Sequence, residues 1–141
     1  MDKKYKIGYV PGSFDLFHVG HLNLLMRAKE RCEYLIVGVC SDELIEKYKG
    51  RKPYINWNDR QRIVAAIRYV DQVVKVDENN TDKIVAWKMY HYNCHFAGSD
   101  HENHWMEERK YLHSQGVEME FFPYTTDIST TQIRKELDEK Q

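Results

Sequence analysis

Apolar positions follow two alternating rhythms along the chain, separated by glycine, proline and small polar residues. Residues 5–10 form a short apolar run that opens on charge and predict a first strand. From 19 to 31, Leu22, Leu25, Met26 and Ala28 recur at helical spacing. Residues 34–40, YLIVGVC, are apolar throughout, as suits a strand buried on both faces of a parallel sheet. Ser41, followed by Asp42 and Glu43, caps a short helix to about Tyr48. Residues 49–56, KGRKPYIN, are basic, carry Gly and Pro, and read as a loop. A helix from near Asn58 to about Tyr69 turns Ile63, Val64 and Ile67 inward, and 71–76 is a third strand. Thr81 caps a helix with Ile84, Val85 and Met89 on its inner side. Residues 94–97 make a short fourth strand closed by Gly98-Ser99-Asp100. Residues 102–115 are helical with Gly116 as their stop. Residues 117–122 are a fifth strand, and Ser129 caps a last helix from 130 to about 139.

Strands alternating with helices imply right-handed crossovers and an α/β fold: a doubly wound, five-stranded parallel sheet with helices on both faces. In such sheets a ligand sits outside the carboxyl ends of the strands, where strand order reverses. The loops at 11–21, 98–104 and 123–131 all follow strands, so they are expected to meet at one edge. The basic loop at 49–52 follows strand two through a short helix and can fold over the same edge.

Composition limits what such a fold would be for. A chain of 141 residues supports one proper core, and a single domain is expected over 1–141. The 42% hydrophobic and 30% charged content fits a soluble globular protein. With 21 basic and 22 acidic residues the net charge is −1, so no global field draws the chain to nucleic acid or membrane. No apolar run nears the roughly 18 residues of a membrane span. The opening MDKKYKIGYV lacks the apolar core of a secretory signal. Cys32, Cys40 and Cys94 have no C-x-x-C spacing and read as reduced thiols in a cytoplasmic protein.

The most informative stretch is 9–25, YVPGSFDLFHVGHLNLL. It leaves a strand, passes a Gly/Ser turn and delivers His18 and His21 to the start of a helix, three apart and so on one face. Free N–H groups at a helix start favour an anion, and two imidazoles beside them suggest phosphate chemistry. A plain capped helix start with surface imidazoles would share these residues. Lys49, Arg51 and Lys52 form a second candidate, against the alternative of a solvated charged loop. Ile128, Ser129, Thr130 and Thr131 form a third, in which N-capping and phosphate binding are compatible. His101 and His104, with His91 and His95 nearby, have chelating spacings without obvious acidic or thiolate partners, so no dedicated metal site is expected. Trp57, Trp87 and Trp105 read as core or interface residues rather than base-stacking platforms.

Four blocks together resemble the H-x-G-H nucleotidyltransferase superfamily, and within it the cytidylyltransferases: GSFDLFHVGH at 12–21, YLIVGVCSDEL at 34–44, RYVDQVV at 68–74 and ISTTQI at 128–133. Length and layout are most similar to the glycerol-3-phosphate cytidylyltransferases. Leu16 stands where adenylyltransferases of the superfamily usually carry proline. The resemblance implies a Rossmann-like, HUP-type nucleotidyltransferase fold. It also implies direct in-line attack of a substrate phosphate on the α-phosphorus of CTP, with release of pyrophosphate. Glycerol 3-phosphate is the favoured acceptor; phosphocholine and phosphoethanolamine are the next. An adenylyltransferase and a non-catalytic nucleotide-sensing module are the other readings.

Carried over by motif, the catalytic residues would be His18, His21, Lys49 and Arg51. Gly12, Ser13, Phe14, Gly20, Gly98, Asp100, Thr125, Ile128, Ser129 and Thr130, with the two histidines, would bind nucleotide. Lys49, Arg51, Arg60 and Arg68 would face the phosphorylated substrate. Asp15 is expected to order the turn rather than touch CTP. Mg2+ is expected, bound mainly through CTP phosphates, and the 68–74 block resembles the family's dimer element, which implies a homodimer. The chain departs from the family's R-T-E-G-I-S-T block: Tyr124 stands in the arginine position and Asp127 in that of a glycine. Tyrosine brings one neutral hydrogen bond and no charge.

Overall fold

The computed structural model describes residues 3–123 and the helical backbone of 130–139, with side chains there from 133 to 138. Among the described residues, five strands form one parallel sheet: β1 (Tyr5–Gly12), β2 (Cys32–Cys40), β3 (Gln72–Val76), β4 (Cys94–Gly98) and β5 (Glu118–Phe122), in the order β3-β2-β1-β4-β5. The helices are α1 (Val19–Arg31), α2 (Asp42–Lys49), α3 (Trp57–Ala65), α4 (Lys83–Tyr90), α5 (Met106–Ser114) and α6 (Thr130–Glu139). The doubly wound expectation is therefore met. From the central β1 the chain winds outward through β2 to β3, then returns to lay down β4 and β5 on the other side. The reversal lies between β1 and β4, which pair through Gly8–Cys94 and Tyr9–His95.

Alternation along the strands divides the core between the two faces of the sheet. Val10, Val37, Val39 and Phe96 pack with Leu25 and Ala28 of α1 and Val64 of α3. Tyr9, Ile36 and Met119 pack with Ala86 of α4 and Leu112 of α5. β2 is buried from Leu35 to Val39, which explains its unbroken apolar sequence.

Several boundaries differ from the sequence expectation. Asp82, not Thr81, caps α4: its Oδ1 accepts from Ile84 N (2.9 Å) and Val85 N (3.1 Å). Val85 and Met89 face solvent while Ala86 is buried, and Ile63 of α3 is likewise exposed. α3 stops at Ala65 because the chain tightens there, with Ile67 N donating to Val64 O and Val70 N to Ile67 O. α5 begins four residues late. Ser99–His101 forms a 3-10 turn, and Trp105 adopts left-handed backbone (φ 59°) before the helix can start.

Candidate active site

The carboxyl ends of all five strands open into one cleft of about 890 Å³, with Gly12, Cys40, Val76, Gly98 and Phe122 on its wall. His18, Gly20 and His21 enter from the start of α1, Lys49 from the end of α2, and Asp100, His101 and His104 from the segment after β4.

The β1–α1 turn is tightly built. Phe14 and Leu16 both hold left-handed backbone (φ 53° and 52°), a conformation that costs energy in non-glycine residues and persists where surroundings enforce it. Phe14 is nearly buried and lies edge-on to His21. A Cβ on Gly12 would stand 3.0 Å from the Phe14 ring, so glycine leaves that ring its place. Asp15 is fully buried and accepts from Tyr54 N (2.9 Å) and Ile55 N (3.0 Å), tying the turn to the loop before α3. Arg134 of α6 reaches the same carboxylate at 3.3 Å.

His18 is the N-cap of α1. Its Nδ1 accepts from Gly20 N (3.0 Å), and Nδ1 of His21 accepts in return from His18 N (3.2 Å). This reciprocal pair fills the roles that Ser and Glu take in a capping box. Burial lowers the His18 pKa; burial, then His18 and Lys49, lower that of His21 to about 3. Both rings are thus neutral at pH 7. A neutral imidazole that accepts through Nδ1 carries its proton on Nε2, so each ring is a Nε2–H donor. The helix-cap reading and the phosphate-donor reading of these residues describe two ends of the same rings.

The basic candidates separate. Lys49 lies on the cleft wall. Arg51 turns toward α6, 3.5 Å from Asp138, with its guanidinium 5.5 Å from the Tyr54 ring centroid. Arg60, expected to face substrate, is instead fully buried: Nε donates to Ile55 O (2.7 Å), Nη1 to Ser13 O (2.7 Å) and Cys40 O (2.8 Å), and Nη2 to Asp42 (2.6 Å). It braces the β1–α1 turn from below, and its donors are occupied by three carbonyls and a carboxylate. Arg68 does not line the cleft within the single chain. It is exposed, past the end of α3, where the chain re-enters the sheet at the amino-terminal edge away from the cleft.

Gly98 and Asp100 stand together on the wall, with Asp100 Oδ1 only 2.7 Å from where a Gly98 Cβ would lie. Thr125, Ile128 and Ser129, with Tyr124 and Asp127, lie outside the described residues; Thr130 begins α6, and its side chain is also outside them. His91 caps the end of α4 in left-handed backbone, away from the pair His101–His104, whose Nδ1 atoms are 3.3 Å apart.

Sequence reasoning missed one wall. Trp105 lines the cleft, stacked on His101 (4.8 Å) with Lys83 Nζ 3.7 Å from its ring centroid. Behind them His95 forms part of the floor. A lysine just after a helix cap that follows a strand was the available signal for Lys83. His95, inside a short apolar strand, was marked only by its spacing from the other histidines, and Trp105 only as a core or interface residue.

The cytidylyltransferase-like family matches residues 9–136, which contain every candidate site residue named above. The chain belongs to that family. It is similar to the glycerol-3-phosphate cytidylyltransferase of Bacillus subtilis, at 35% identity over 126 residues, covering 89% of this chain and 92% of that one. FAD synthase of Pyrococcus abyssi is 51% identical over 65 residues, 46% of this chain and 44% of that one. The lipopolysaccharide core biosynthesis protein of Thermoplasma volcanium superposes with a TM-score of 0.70 at 20% identity, covering 86% of this chain and 97% of that one; this is a likeness of fold. For a member of the cytidylyltransferase-like family, the H-x-G-H histidines stand at the strand-order reversal, where a nucleotide is expected to enter.

Proposed function

We propose that the protein is a CTP-dependent cytidylyltransferase acting on a small phosphorylated alcohol, with glycerol 3-phosphate as the favoured acceptor. The observation that carries this reading is the pair of neutral imidazoles held as Nε2–H donors at the helix start, within a chain whose full-length relative bears that activity.

A phosphate oxygen of the acceptor attacks the α-phosphorus of CTP. The bond to the β-phosphate breaks, and pyrophosphate leaves with its electron pair. Such a displacement needs alignment and charge stabilisation rather than a protein nucleophile. His18 and His21 donate to non-bridging oxygens as negative charge moves onto them. Because both rings are already neutral donors, no proton has to move before the step. Lys49 supplies positive charge from the end of α2, and Arg51 joins it by exchanging Asp138 for phosphate. Gly98 and Asp100 take the nucleoside end, and Thr125, Ile128, Ser129 and Thr130 complete the phosphate side. CTP enters as its Mg2+ complex, with phosphate oxygens as the ligands this hard cation prefers.

We further propose a cytoplasmic homodimer. Among the described residues no helix is long and apolar enough to cross a membrane, and β3, reached through the 68–74 segment, is an edge strand of the sheet.

The test is pyrophosphate release with CTP or ATP against a panel of phosphorylated alcohols. Release with CTP and glycerol 3-phosphate is the expected result; release with ATP alone, or with no acceptor in the panel, would overturn the proposal.

A further inference from the structure

His95 sits on β4 with 1% of its surface exposed, yet it lines the cleft. Its surroundings are aromatic: Tyr9 at 5.9 Å, Tyr92 at 6.2 Å and Trp105 at 5.6 Å between ring centroids. Among the described residues neither ring nitrogen has a hydrogen-bond partner. An unpaired buried polar group is destabilising, and native structures seldom keep two on one side chain without use for them. An aromatic or aliphatic residue would fill this position in the core at lower cost, so the imidazole calls for a ligand-side explanation.

The chemistry of the group identifies that ligand. Burial and the neighbouring Lys83 hold His95 neutral. A neutral imidazole offers one donor and one acceptor, the same complement a hydroxyl presents. A quaternary ammonium has neither, and a primary ammonium only donates. The aromatic face that would receive an ammonium is Trp105, and it is already covered by the Lys83 ammonium, which Glu108 and Asp82 flank.

We propose that His95 is a specificity-determining residue of the acceptor site, reading a free hydroxyl on the phosphorylated alcohol from the floor of the cleft. The inference rests on the cytidylyltransferase reading and deepens it: the imidazole pair at α1 acts on the phosphates, and His95, beside Lys83 and Trp105, selects the alcohol. An acceptor with a free hydroxyl pairs one ring nitrogen; one with a bare alkyl tail leaves both unpaired.

The test compares glycerol 3-phosphate with n-propyl phosphate, which keeps the phosphate and chain length and lacks the hydroxyls. The wild-type protein is expected to favour glycerol 3-phosphate in kcat/KM by roughly tenfold or more, as expected for a buried hydrogen-bonding site. His95→Phe is expected to remove most of that preference by raising the KM for glycerol 3-phosphate, with the KM for CTP within about twofold of wild type. His95→Gln, which retains a donor and an acceptor, is expected to recover part of it. The melting temperature of ligand-free His95→Phe is expected to rise, because an unpaired polar group leaves the core. A wild-type kcat/KM ratio near one overturns the inference without any variant. An unchanged ratio in His95→Phe also overturns it, while leaving cytidylyl transfer standing. Absence of transfer from CTP to either acceptor and to the rest of the phosphorylated-alcohol panel overturns both readings together.

Discussion

The rings of His18 and His21 stack with centroids 3.9 Å apart, each tied through Nδ1 to a backbone N–H of the same helix start. One interaction set therefore fixes the tautomer, the orientation and the helix cap. Replacing either residue with Ala should lower turnover about a hundred- to a thousand-fold, the usual loss when one transition-state donor goes. CTP affinity should change far less, since the helix start and Lys49 still act on the ground state. His18→Ala should also cost about 1 kcal/mol of stability through the lost N-cap. Steady-state kinetics, CTP titration and urea unfolding of each variant check this; near-wild-type turnover would reduce the pair to a helix cap.

Arg60 predicts the opposite signature. Arg60→Ala strands three carbonyls and Asp42, which the guanidinium now joins from below the turn. Deleting the buried guanidinium leaves those carbonyls without their donor, at about 1–3 kcal/mol for each one left unsatisfied, while Asp42, whose side chain is 35% exposed, can be rehydrated. Urea unfolding should show a loss on that scale, and Arg60→Lys should recover little, because one ammonium cannot reach four acceptors in a fork. A stable variant with only a raised acceptor KM would restore the direct substrate role.

The contrast between these residues marks what was legible in the chain. The H-x-G-H spacing, the unbroken apolar run of β2 and the alternation of elements are local patterns, and each corresponds to a structure built from neighbours in sequence. Arg60 is different. An arginine on an amphipathic helix reads as surface, and it becomes core only because Ser13, Cys40 and Ile55, far apart in the chain, turn carbonyls toward one point. The late start of α5 has the same character. Glu102 to Trp105 carry acceptable helix formers, but the chain first closes a 3-10 turn and a left-handed residue to bring Trp105 over the cleft. Val85 and Met89 mislead for a simpler reason: α4 is apolar around much of its circumference, so composition does not choose the inward face.

Nucleotide choice is accessible without chemistry. CTP with Mg2+ should raise the melting temperature more than ATP with Mg2+ at equal concentration, by mass action on the folded state. Equal or greater stabilisation by ATP would favour the adenylyl reading over the cytidylyl one. Tyr124→Arg should tighten CTP binding if the charge absent from this position is not supplied elsewhere.

Assembly has its own check. Sedimentation at micromolar concentration should give a dimer, and a clean monomer near the chain mass of 16.9 kDa would remove that proposal.

Acid stability depends on buried imidazoles, most of all His21 and His95. Burial above all holds the pKa of both His21 and His95 at about 3, against an ordinary 6.5; His18 and Lys49 add to this at His21, and Lys83 at His95. Between those values the unfolded chain takes up a proton at each site and the folded chain does not. Stability therefore rises with pH in this window and falls as pH drops from about 6.5 toward 3. Each site contributes a slope of up to about 1.4 kcal/mol per pH unit. Asp71 and Glu120 add to the loss only in more acidic solution: there burial is outweighed by hydrogen bonds, from Lys29 to the one and from Tyr5 and Arg31 to the other, so their pKa values stay below the usual range. Urea unfolding at pH 7, 6 and 5 isolates the histidines. The wild-type protein should lose stability steeply between pH 6 and 5, and His95→Phe should reduce that slope, leaving the part contributed by His21 and by His18 and His101, whose pKa values burial also lowers. An unchanged slope in His95→Phe would show that this imidazole does not stay neutral in the folded protein, and a neutral ring is what the acceptor-site assignment requires.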